Sequence, residues 1–227
     1  DGAPVYPKID ILLEYCQNQK INLFGVSAKY IDHLKNENYN SNKLDLSSIK
    51  IITSTGSPLA EESFKYVYEN IKQDVHLASI AGGTDLVGCL VLGNLYSNVH
   101  KGEIQGQSLG IDVDVFTNEG KSTKDGDKGE LVVKKPFPSM PIKFWDDNDG
   151  QKYHQAYFTR FENIWHHGDF IERTSRNGFI MRGRSDSTLN PGGVRIGTSE
   201  IYQQVEDIDF ITEGLVVGQD FKDDVRI

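Results

Sequence analysis

The sequence predicts an α/β fold: a parallel sheet with flanking helices, then a β-rich subdomain, then the start of a small α+β domain. Amphipathic helical patterns alternate with short apolar strands from residue 8 to about residue 94. After about residue 95, short strands are separated by the Gly- and charge-rich stretch 117–129. A helix pattern and a strand pattern follow residue 187. We expect domains at 1–98, 99–185 and 186–227.

The first ninety-odd residues are expected to supply three βα units in sequence. Helices are predicted over 8–20, 27–36 and 59–71, and strands over 21–26, 49–55 and 75–80. Helices that alternate with short apolar strands are typical of a parallel sheet. Ser57 and Pro58 favour an N-cap followed by proline at the first helical position, with Glu61 and Glu62 in the first turn to suit the helix dipole.

The remaining elements are predicted from shorter signals. Strands are expected at 110–116 and 129–133, a helix at 198–207 and a strand at 214–219. Residues 136–167 contain three prolines and many aromatic residues, and we interpret them as an ordered loop. Asn177 and Gly178 predict the turn of a β-hairpin between two strands.

Composition narrows the possible partners. The chain has 227 residues, 33 acidic against 24 basic, and no dense Lys/Arg cluster, so nucleic acid is an unexpected partner. The longest apolar stretch, 86–93, is far too short to cross a membrane, and residues 1–10 lack a signal-peptide pattern. We therefore expect a soluble, cytoplasmic protein. Cys16 and Cys89 suggest neither a disulfide framework nor a zinc site, and both are interpreted as buried apolar residues.

Two loops with small residues follow predicted strands, where open α/β sheets bind nucleotides. In "STGSPLAEE", Gly56 would let the backbone approach a flat base, although an ordinary capped loop is the commoner explanation. In "SIAGGTDLVG", two glycines precede Thr84 and Asp85, which could hold a phosphate oxygen and Mg²⁺. A glycine turn whose side chains bond their own backbone is an equal alternative there.

The stretch "GDFIERTSRNGFIMRGRSD" brings two acids and an arginine to one end of the predicted hairpin. With the turn at Asn177, Asp169 would face Asp186, and Arg184 would lie diagonally on the same face. A carboxylate that accepts two vicinal hydroxyls would form a ribose site. A cross-strand ion pair between Asp169 and Arg184 is the commoner explanation.

Other candidate residues carry weaker signals. Pro191 and Gly192 fit a type II turn, beyond which Arg195 could bind a phosphate or simply be solvated. His166 and His167 have no Ser or Cys partner placed for a triad, so edge-strand or core histidines are favoured. Trp145 and Trp165 are interpreted as packing residues.

The order of the motifs "STGSPL", "SIAGGTD", "KGEIQ", "GRSDSTLNPGGVR" and "GTSEIY" resembles that of the adenylate-forming acyl-CoA synthetases. The resemblance covers most of the chain, and five ordered motifs are far more specific than any one of them. It implies that a carboxylic acid reacts with ATP to give an acyl-adenylate, and that the thiol of coenzyme A then displaces AMP.

The resemblance also implies roles for single residues. Gly56, Ser57 and Pro58 would line the adenine, and Ser79, Ile80, Ala81, Gly82, Gly83 and Thr84 would surround the base and the α-phosphate. The implied catalytic residues are Thr84 at the phosphate, Asp85 as a Mg²⁺ ligand where many relatives carry glutamate, and Arg195 at the phosphate. Asp169 and Arg184 would hold the ribose, Asp186 would be the hinge of the small domain, and Gly192 and Gly193 would accommodate coenzyme A.

The expected acyl substrate is acetoacetate, because relatives specific for acetate carry a tryptophan near Gly82 and a glycine would leave room for two more carbons. Another short-chain acid, or a non-catalytic nucleotide-binding role, is the alternative. A Ser/Thr/Gly-rich phosphate loop and the lysine segment used for adenylation do not occur in the 227 residues, so we expect them in other parts of a longer protein. The isolated chain is accordingly expected to form neither the adenylate nor the thioester.

Overall fold

The computed structural model describes residues 2–189, 191, 196–206, 208, 211, 214–221 and 224–227. The chain divides into two compact units. Unit 1 comprises Asp1–Ala81 and Val91–Gly106, and unit 2 comprises Gly82–Leu90 and Gln107–Ile227. The predicted domain division at 1–98, 99–185 and 186–227 stays a prediction.

Unit 1 contains the predicted alternation of helices and strands. Its elements are α1 (Ile11–Gln19), β1 (Leu23–Ser27), α2 (Ala28–Asn36), β2 (Ile51–Thr55), α3 (Glu61–Tyr66), which continues as a π-helical turn (Val67–Ile71), and β3 (His76–Ser79). The strands form a parallel sheet in the order β1-β2-β3, with Leu23 opposite Ile51 and Ile51 opposite His76. The parallel sheet with flanking helices is therefore confirmed.

The core of unit 1 forms because the helices place apolar residues against the sheet at helical spacing. Ile31 and Leu34 of α2 are buried, as are Ile52 of β2, Phe64 of α3 and Leu77 of β3. The α2 helix begins where the Ser27 hydroxyl accepts a hydrogen bond from Tyr30 N at 3.1 Å, which satisfies one free amide of the first turn.

The predicted start of α3 at Ser57 and Pro58 is wrong. The helix begins at Glu61, and its N-cap is Ala60, whose carbonyl accepts from Ser63 N at 3.0 Å. Gly56 turns the chain after β2 with φ +85°, so that the next residues cross to the helix before it can begin. Glu61 and Glu62 do lie in its first turn, as the helix dipole favours.

Unit 2 is rich in strands, as predicted. Short strands β4 (Ala81–Gly83), β5 (Gly88–Leu92) and β6 (Gly106–Gln107) occur where the chain passes between the units. An antiparallel sheet in the order β10-β9-β8-β7 follows, from β7 (Val113–Phe116), β8 (Lys128–Val133), β9 (Trp165–Arg173) and β10 (Phe179–Arg184). A 3₁₀ turn (Ser185–Ser187), α5 (Thr198–Glu206) and the hairpin strands β11 (Gln219–Phe221) and β12 (Asp224–Arg226) complete it.

Three predictions for this unit need correction. The expected loop at 136–167 contains a helix, α4 (Gln151–Tyr157), because the Asp147 carboxylate accepts hydrogen bonds from the amides of Lys152 and Tyr153 at 3.0 and 2.9 Å. The expected strand at 214–219 reaches strand conformation only at Gln219. Trp145 is 92% exposed and does not pack as predicted, whereas Trp165 is buried.

The predicted register of the β9–β10 hairpin is also wrong. Arg184, not Asp186, lies opposite Asp169. The turn is longer than two residues because Thr174 N donates to Gly178 O at 2.9 Å, and a bulge between Met181 and Gly183 shifts the pairing again. The two acids therefore do not face each other across the strands.

Two smaller findings concern cysteines and membranes. Both cysteines are free thiols, Cys16 buried and Cys89 partly exposed, so burial is confirmed for the first only. Across the described residues, no helix combines the length and apolar character that a membrane crossing requires.

Candidate functional site

A pocket of about 570 Å³ lies within unit 2. Its walls come from the β4–β5 turn, the end of α4, the start of β9 and the end of β10. The lining residues are Gly82, Gly83, Thr84, Asp85, Ala156, Tyr157, Arg160, His166, His167, Gly168, Arg184, Ser185 and Asp186. The sequence therefore predicted six of these residues and missed seven.

Asp169 and Arg184 form the best-defined polar pair beside the pocket. Arg184 Nη1 donates to Asp169 Oδ1 at 3.0 Å and to the carbonyl oxygen of His167 at 3.2 Å. Asp169 is buried, while the Arg184 side chain is 53% exposed. Burial raises the pKa of Asp169, and His167 and Arg184 oppose that rise. The carboxylate is thus fixed by an arginine that itself remains accessible to a ligand.

The residue before Asp169, Gly168, has a structural reason to be glycine. It adopts φ +83°, and a Cβ added there would lie 2.7 Å from Arg184 Nη2. Only glycine combines this backbone conformation with room for the guanidinium group.

His167 is part of the same cluster, which we call the Asp169 cluster: Asp169, Arg184 and His167. Its Nδ1 accepts a hydrogen bond from Trp165 Nε1 at 3.3 Å, and its Nε2 lies 3.6 Å from Asp169 Oδ2. Since an indole N–H can only donate, neutral His167 carries its proton on Nε2. Burial lowers the pKa of His167, partly opposed by Asp169. The core position favoured for this residue is confirmed, but the ring also lines the pocket.

A second cluster lies around a carboxylate with no exposed surface, and we call it the Glu130 cluster: Glu130, His166, Arg160 and Ser185. His166 Nε2 lies 2.8 Å from Glu130 Oε2, and Arg160 Nη2 lies 3.2 Å from Oε1. The hydroxyl of Ser185 donates to Glu130 Oε2. Sequence reasoning missed Glu130, although an acid beside the apolar run of β8 was an available signal.

Thr84 and Asp85 lie in the turn between β4 and β5, where Val87 N donates to Thr84 O at 3.1 Å. Both side chains are exposed. The hydroxyl of Tyr157 donates to the Asp85 carboxylate. Burial and this contact raise the pKa of Tyr157. Asp85 therefore bonds to a side chain of α4, a contact that sequence reasoning did not anticipate.

The side-chain oxygens of Thr84 and Asp85 fit a Mg²⁺ site only if a substrate supplies further ligands. Among the described residues, no three His, Cys, Asp or Glu side chains group together as a metal site. Mg²⁺ is often held by one or two carboxylates together with substrate phosphates and water. Asp85 and the neighbouring Thr84 hydroxyl fit that arrangement, whereas a site built from protein ligands alone does not.

Gly82 has a structural reason to be glycine. A Cβ there would lie 2.0 Å from Gly88 O and 2.6 Å from Cys89 Cα. The missing side chain would thus meet the backbone of β5 and not open space, which contradicts the expectation that Gly82 makes room for a longer acyl group. Gly83 is constrained similarly, since a Cβ there would lie 2.9 Å from His167 Cε1.

The other predicted nucleotide residues belong to unit 1. Gly56, Ser57 and Pro58 follow β2, and Ser79 ends β3 before Ile80 and Ala81. The two strands are parallel neighbours, and Ile80 N donates to Ser54 O at 2.9 Å. These two groups therefore lie at the same, carboxyl-terminal edge of the sheet, where ligands bind in open α/β folds.

The hinge and the coenzyme A residues are placed only in part. Asp186 is in the 3₁₀ turn after β10; its side chain is 80% exposed and lies 3.8 Å from Arg184 Nε. The predicted phosphate-binding Arg195 and coenzyme A-binding Gly192 and Gly193 lie outside the described residues.

Comparison with known proteins gives a consistent picture. No family model matches the chain. It is 55% identical over 228 residues to the acetoacetyl-coenzyme A synthetase of Rhizobium meliloti, an alignment that covers 100% of this chain and 35% of that protein. The solved acetoacetyl-CoA synthetase of Streptomyces lividans is 39% identical with a TM-score of 0.87, covering 96% of this chain and 34% of that one.

A more distant solved structure shows the same fold. The anthranilate CoA ligase AuaEII, solved in complex with anthranoyl-AMP, is 17% identical with a TM-score of 0.77, covering 96% of this chain and 40% of that one. The expected resemblance to acyl-CoA synthetases is confirmed by the similarity to the two acetoacetyl-CoA synthetases. The chain is similar in sequence over its whole length to acetoacetyl-CoA synthetases, and it spans about a third of the length of the curated relatives it matches.

Proposed function

We propose that the full-length protein containing this chain activates acetoacetate with ATP and transfers the acyl group to coenzyme A. The carboxylate oxygen attacks the α-phosphorus of ATP and pyrophosphate leaves, which gives acetoacetyl-AMP. The thiol sulfur then attacks the acyl carbon, loses its proton, and AMP leaves. The observation that carries this proposal is the 55% identity to an acetoacetyl-coenzyme A synthetase along the whole chain.

The chain would supply most of the nucleotide site. Gly56, Ser57 and Pro58 would line the adenine, and Ser79, Ile80, Ala81, Gly82, Gly83 and Thr84 would surround the base and α-phosphate. Asp169 would accept hydrogen bonds from the two ribose hydroxyls, and Arg184, which donates to Asp169 at 3.0 Å, would hold its carboxylate in place. Arg195 would bind the phosphate, and Gly192 and Gly193 would lie beside coenzyme A. Asp186 would be the hinge about which the small domain turns between the two reactions.

The contribution of these residues is positioning and charge compensation. Two reactants held in the productive orientation react as if within one molecule, and fixed dipoles and charges stabilise charge that develops on the α-phosphate. Asp85 would hold Mg²⁺, and Thr84 would contact the phosphate. That ion would offset the negative charge of the phosphate oxygens. The pocket volume of about 570 Å³ lies within the usual range for small-molecule sites.

The acid specificity is the finest part of the proposal. Because the missing side chain of Gly82 would meet backbone, the choice of acetoacetate over another short-chain acid is supported by sequence relationship alone. Pyrophosphate release by the full-length protein with acetate, propionate, butyrate and acetoacetate would separate the two possibilities. A role in cytoplasmic fatty-acid and ketone-body metabolism is part of the same proposal.

The ribose assignment has a direct test in the full-length protein. Calorimetric titration with a nonhydrolysable acetoacetyl-adenylate mimic would compare wild type with Asp169→Ala. Loss of charged hydrogen bonds to the ribose is expected to weaken binding about 10- to 100-fold. Glu162→Ala, which removes an exposed carboxylate that does not line the pocket, should bind like wild type. Unchanged affinity in Asp169→Ala would disprove the ribose assignment, and absence of binding by wild type would disprove the proposed function.

A further inference from the structure

Tyr157 makes an unusual pair of contacts at the end of α4. Its hydroxyl donates to the Asp85 carboxylate, and its ring stacks on Trp165 with centroids 3.6 Å apart and an interplanar angle of 13°. The same side chain also lines the pocket. One tyrosine therefore connects the buried aromatic core of unit 2 with the exposed carboxylate assigned to Mg²⁺.

We propose that Tyr157 is a positioning residue that orients the Asp85 carboxylate for Mg²⁺ bound with the nucleotide, an inference that rests on the proposed function. By donating to one carboxylate oxygen, the phenol fixes the rotation of the group and leaves the other oxygen available to the cation. Carboxylates that bind metals are commonly held by such hydrogen bonds, and loss of the partner typically weakens metal binding 10- to 100-fold.

The position of the phenol is itself well determined. Trp165, on which the ring lies, is 2% exposed. Phe144 and Tyr153 contact the same ring edge to face, with centroids 6.0 and 5.9 Å away. A ring packed in this way has few alternative rotamers, so its hydroxyl occupies one position beside Asp85.

Asp85, by contrast, needs an external constraint. Its side chain is exposed, and it lies in the turn at Thr84–Val87, where Val87 adopts φ +47°. An exposed carboxylate on a turn can rotate freely in water, and ordering it costs conformational entropy. A hydrogen bond from a fixed phenol removes that freedom before the metal arrives.

The decisive variant is Tyr157→Phe, because it keeps the ring stack on Trp165 and removes only the hydroxyl. The full-length protein would be titrated with Mn²⁺, as a paramagnetic substitute for Mg²⁺, in the presence of a nonhydrolysable ATP analogue, and free Mn²⁺ followed by electron paramagnetic resonance. We expect the Mn²⁺ affinity of the nucleotide complex to fall about 10- to 100-fold. Nucleotide affinity measured in EDTA should remain unchanged.

Tyr153→Phe is the matched control. It removes a hydroxyl from the same helix and the same aromatic cluster, but this hydroxyl is buried with no hydrogen-bond partner among the described residues. Its Mn²⁺ affinity should equal that of wild type. Equal losses in both variants would mean that the cluster acts only through folding, and would overturn the proposal.

A double-variant cycle with Asp85→Asn completes the test. If Tyr157 acts through Asp85, Tyr157→Phe should cause no further loss of Mn²⁺ affinity in the Asp85→Asn protein. Additive losses would overturn the inference while leaving the proposed function intact. Failure of the wild-type protein to bind the ATP analogue would instead refute the proposed function, and the role of Tyr157 with it.

Discussion

The Asp169 cluster and the Glu130 cluster share three kinds of side chain but are placed differently. Each combines a carboxylate, an arginine and one of two consecutive histidines of β9. Arg184 is 53% exposed against 35% for Arg160, and 10% of the Asp169 side chain is exposed against none of the Glu130 side chain. The comparison indicates that the first cluster can receive a ligand, while the carboxylate of the second acts as internal support for strands and turn.

The largest expected effect is the loss of stability when the Glu130 carboxylate is removed. Glu130→Ala would leave His166, Arg160 and Ser185 without their shared acceptor. Removal of one partner from a buried ionic group typically costs about 3–5 kcal/mol; the partial exposure of Arg160 favours the lower end. Hydrogen–deuterium exchange of the full-length protein should show this loss of protection in the peptides covering β8 and β9.

The control for that experiment is Glu162→Ala, an exposed acid in the segment between α4 and β9. Its protection should stay within about 0.5 kcal/mol of wild type. If Glu130→Ala were equally mild, the Glu130 cluster would not support the sheet, and the contrast between the clusters would fail.

Gly168→Ala should disturb the Asp169 cluster more than the Glu130 cluster. The positive φ would cost about 1–2 kcal/mol, and the added Cβ, 2.7 Å from Arg184 Nη2, would displace the guanidinium from Asp169. We expect reduced protection of β9 and weaker binding of the adenylate mimic, measured by exchange and calorimetry.

Gly126→Ala separates these two causes. Gly126 has φ +85°, close to that of Gly168, but none of the described residues lies within 4 Å of a Cβ placed there. It should lose similar stability yet bind the mimic like wild type. Equal affinity losses in both variants would show that backbone strain, not the position of Arg184, controls binding.

The two clusters also differ in how far the sequence could predict them. Asp169 and Arg184 are fifteen residues apart in one hairpin, so a turn signal sufficed to bring them together. The predicted register failed because Thr174 closes a longer turn than Asn177 and Gly178 indicate.

Long-range contacts lay beyond sequence reasoning. The Glu130 cluster joins four separate segments, with Ser185 fifty-five residues from Glu130, and no local pattern encodes such a contact. The α4 helix, which carries Tyr157, was missed because prolines and aromatic residues masked Asp147, whose carboxylate accepts from first-turn amides. The parallel sheet of unit 1, by contrast, was predictable because amphipathic helical patterns alternate with short apolar strands in the sequence.

The buried His167 makes the stability of the folded protein depend on pH. Burial lowers the pKa of His167 in the folded protein, so the unfolded chain takes up a proton first as the pH falls through about 6.5. Stability from neutral His167 is thus present above that pH and is lost progressively as the pH falls below it. Thermal unfolding of the full-length protein should show a smaller loss over this range in His167→Gln.

Neighbouring charges set the limits of this effect. Asp169 opposes the lowered pKa of His167, while Arg184 and His166 add to it. Because burial raises the pKa of Asp169, its protonation stabilises the folded state as the pH falls. His154→Gln, at an exposed position of α4, should keep the wild-type dependence. The same slope in His167→Gln as in wild type would contradict the assignment.

The smallest effect is expected at Asp186, and it tests the corrected register. If Asp186 faced Asp169, Asp186→Asn would relieve a repulsion and raise the stability measurably. In the observed register, Asp186 is 80% exposed, and its attraction to Arg184 Nε at 3.8 Å opposes its repulsion of Asp169, so the change in unfolding free energy should stay within about 0.5 kcal/mol. Thermal unfolding of the full-length protein measures this difference. A hinge role would show itself elsewhere: Asp186→Asn should alter the rate of thioester formation from the adenylate more than the rate of adenylate formation. Stability and the two rates together therefore distinguish a hinge residue from a member of the Asp169 cluster, since loss of a cluster member would weaken nucleotide binding before either reaction begins.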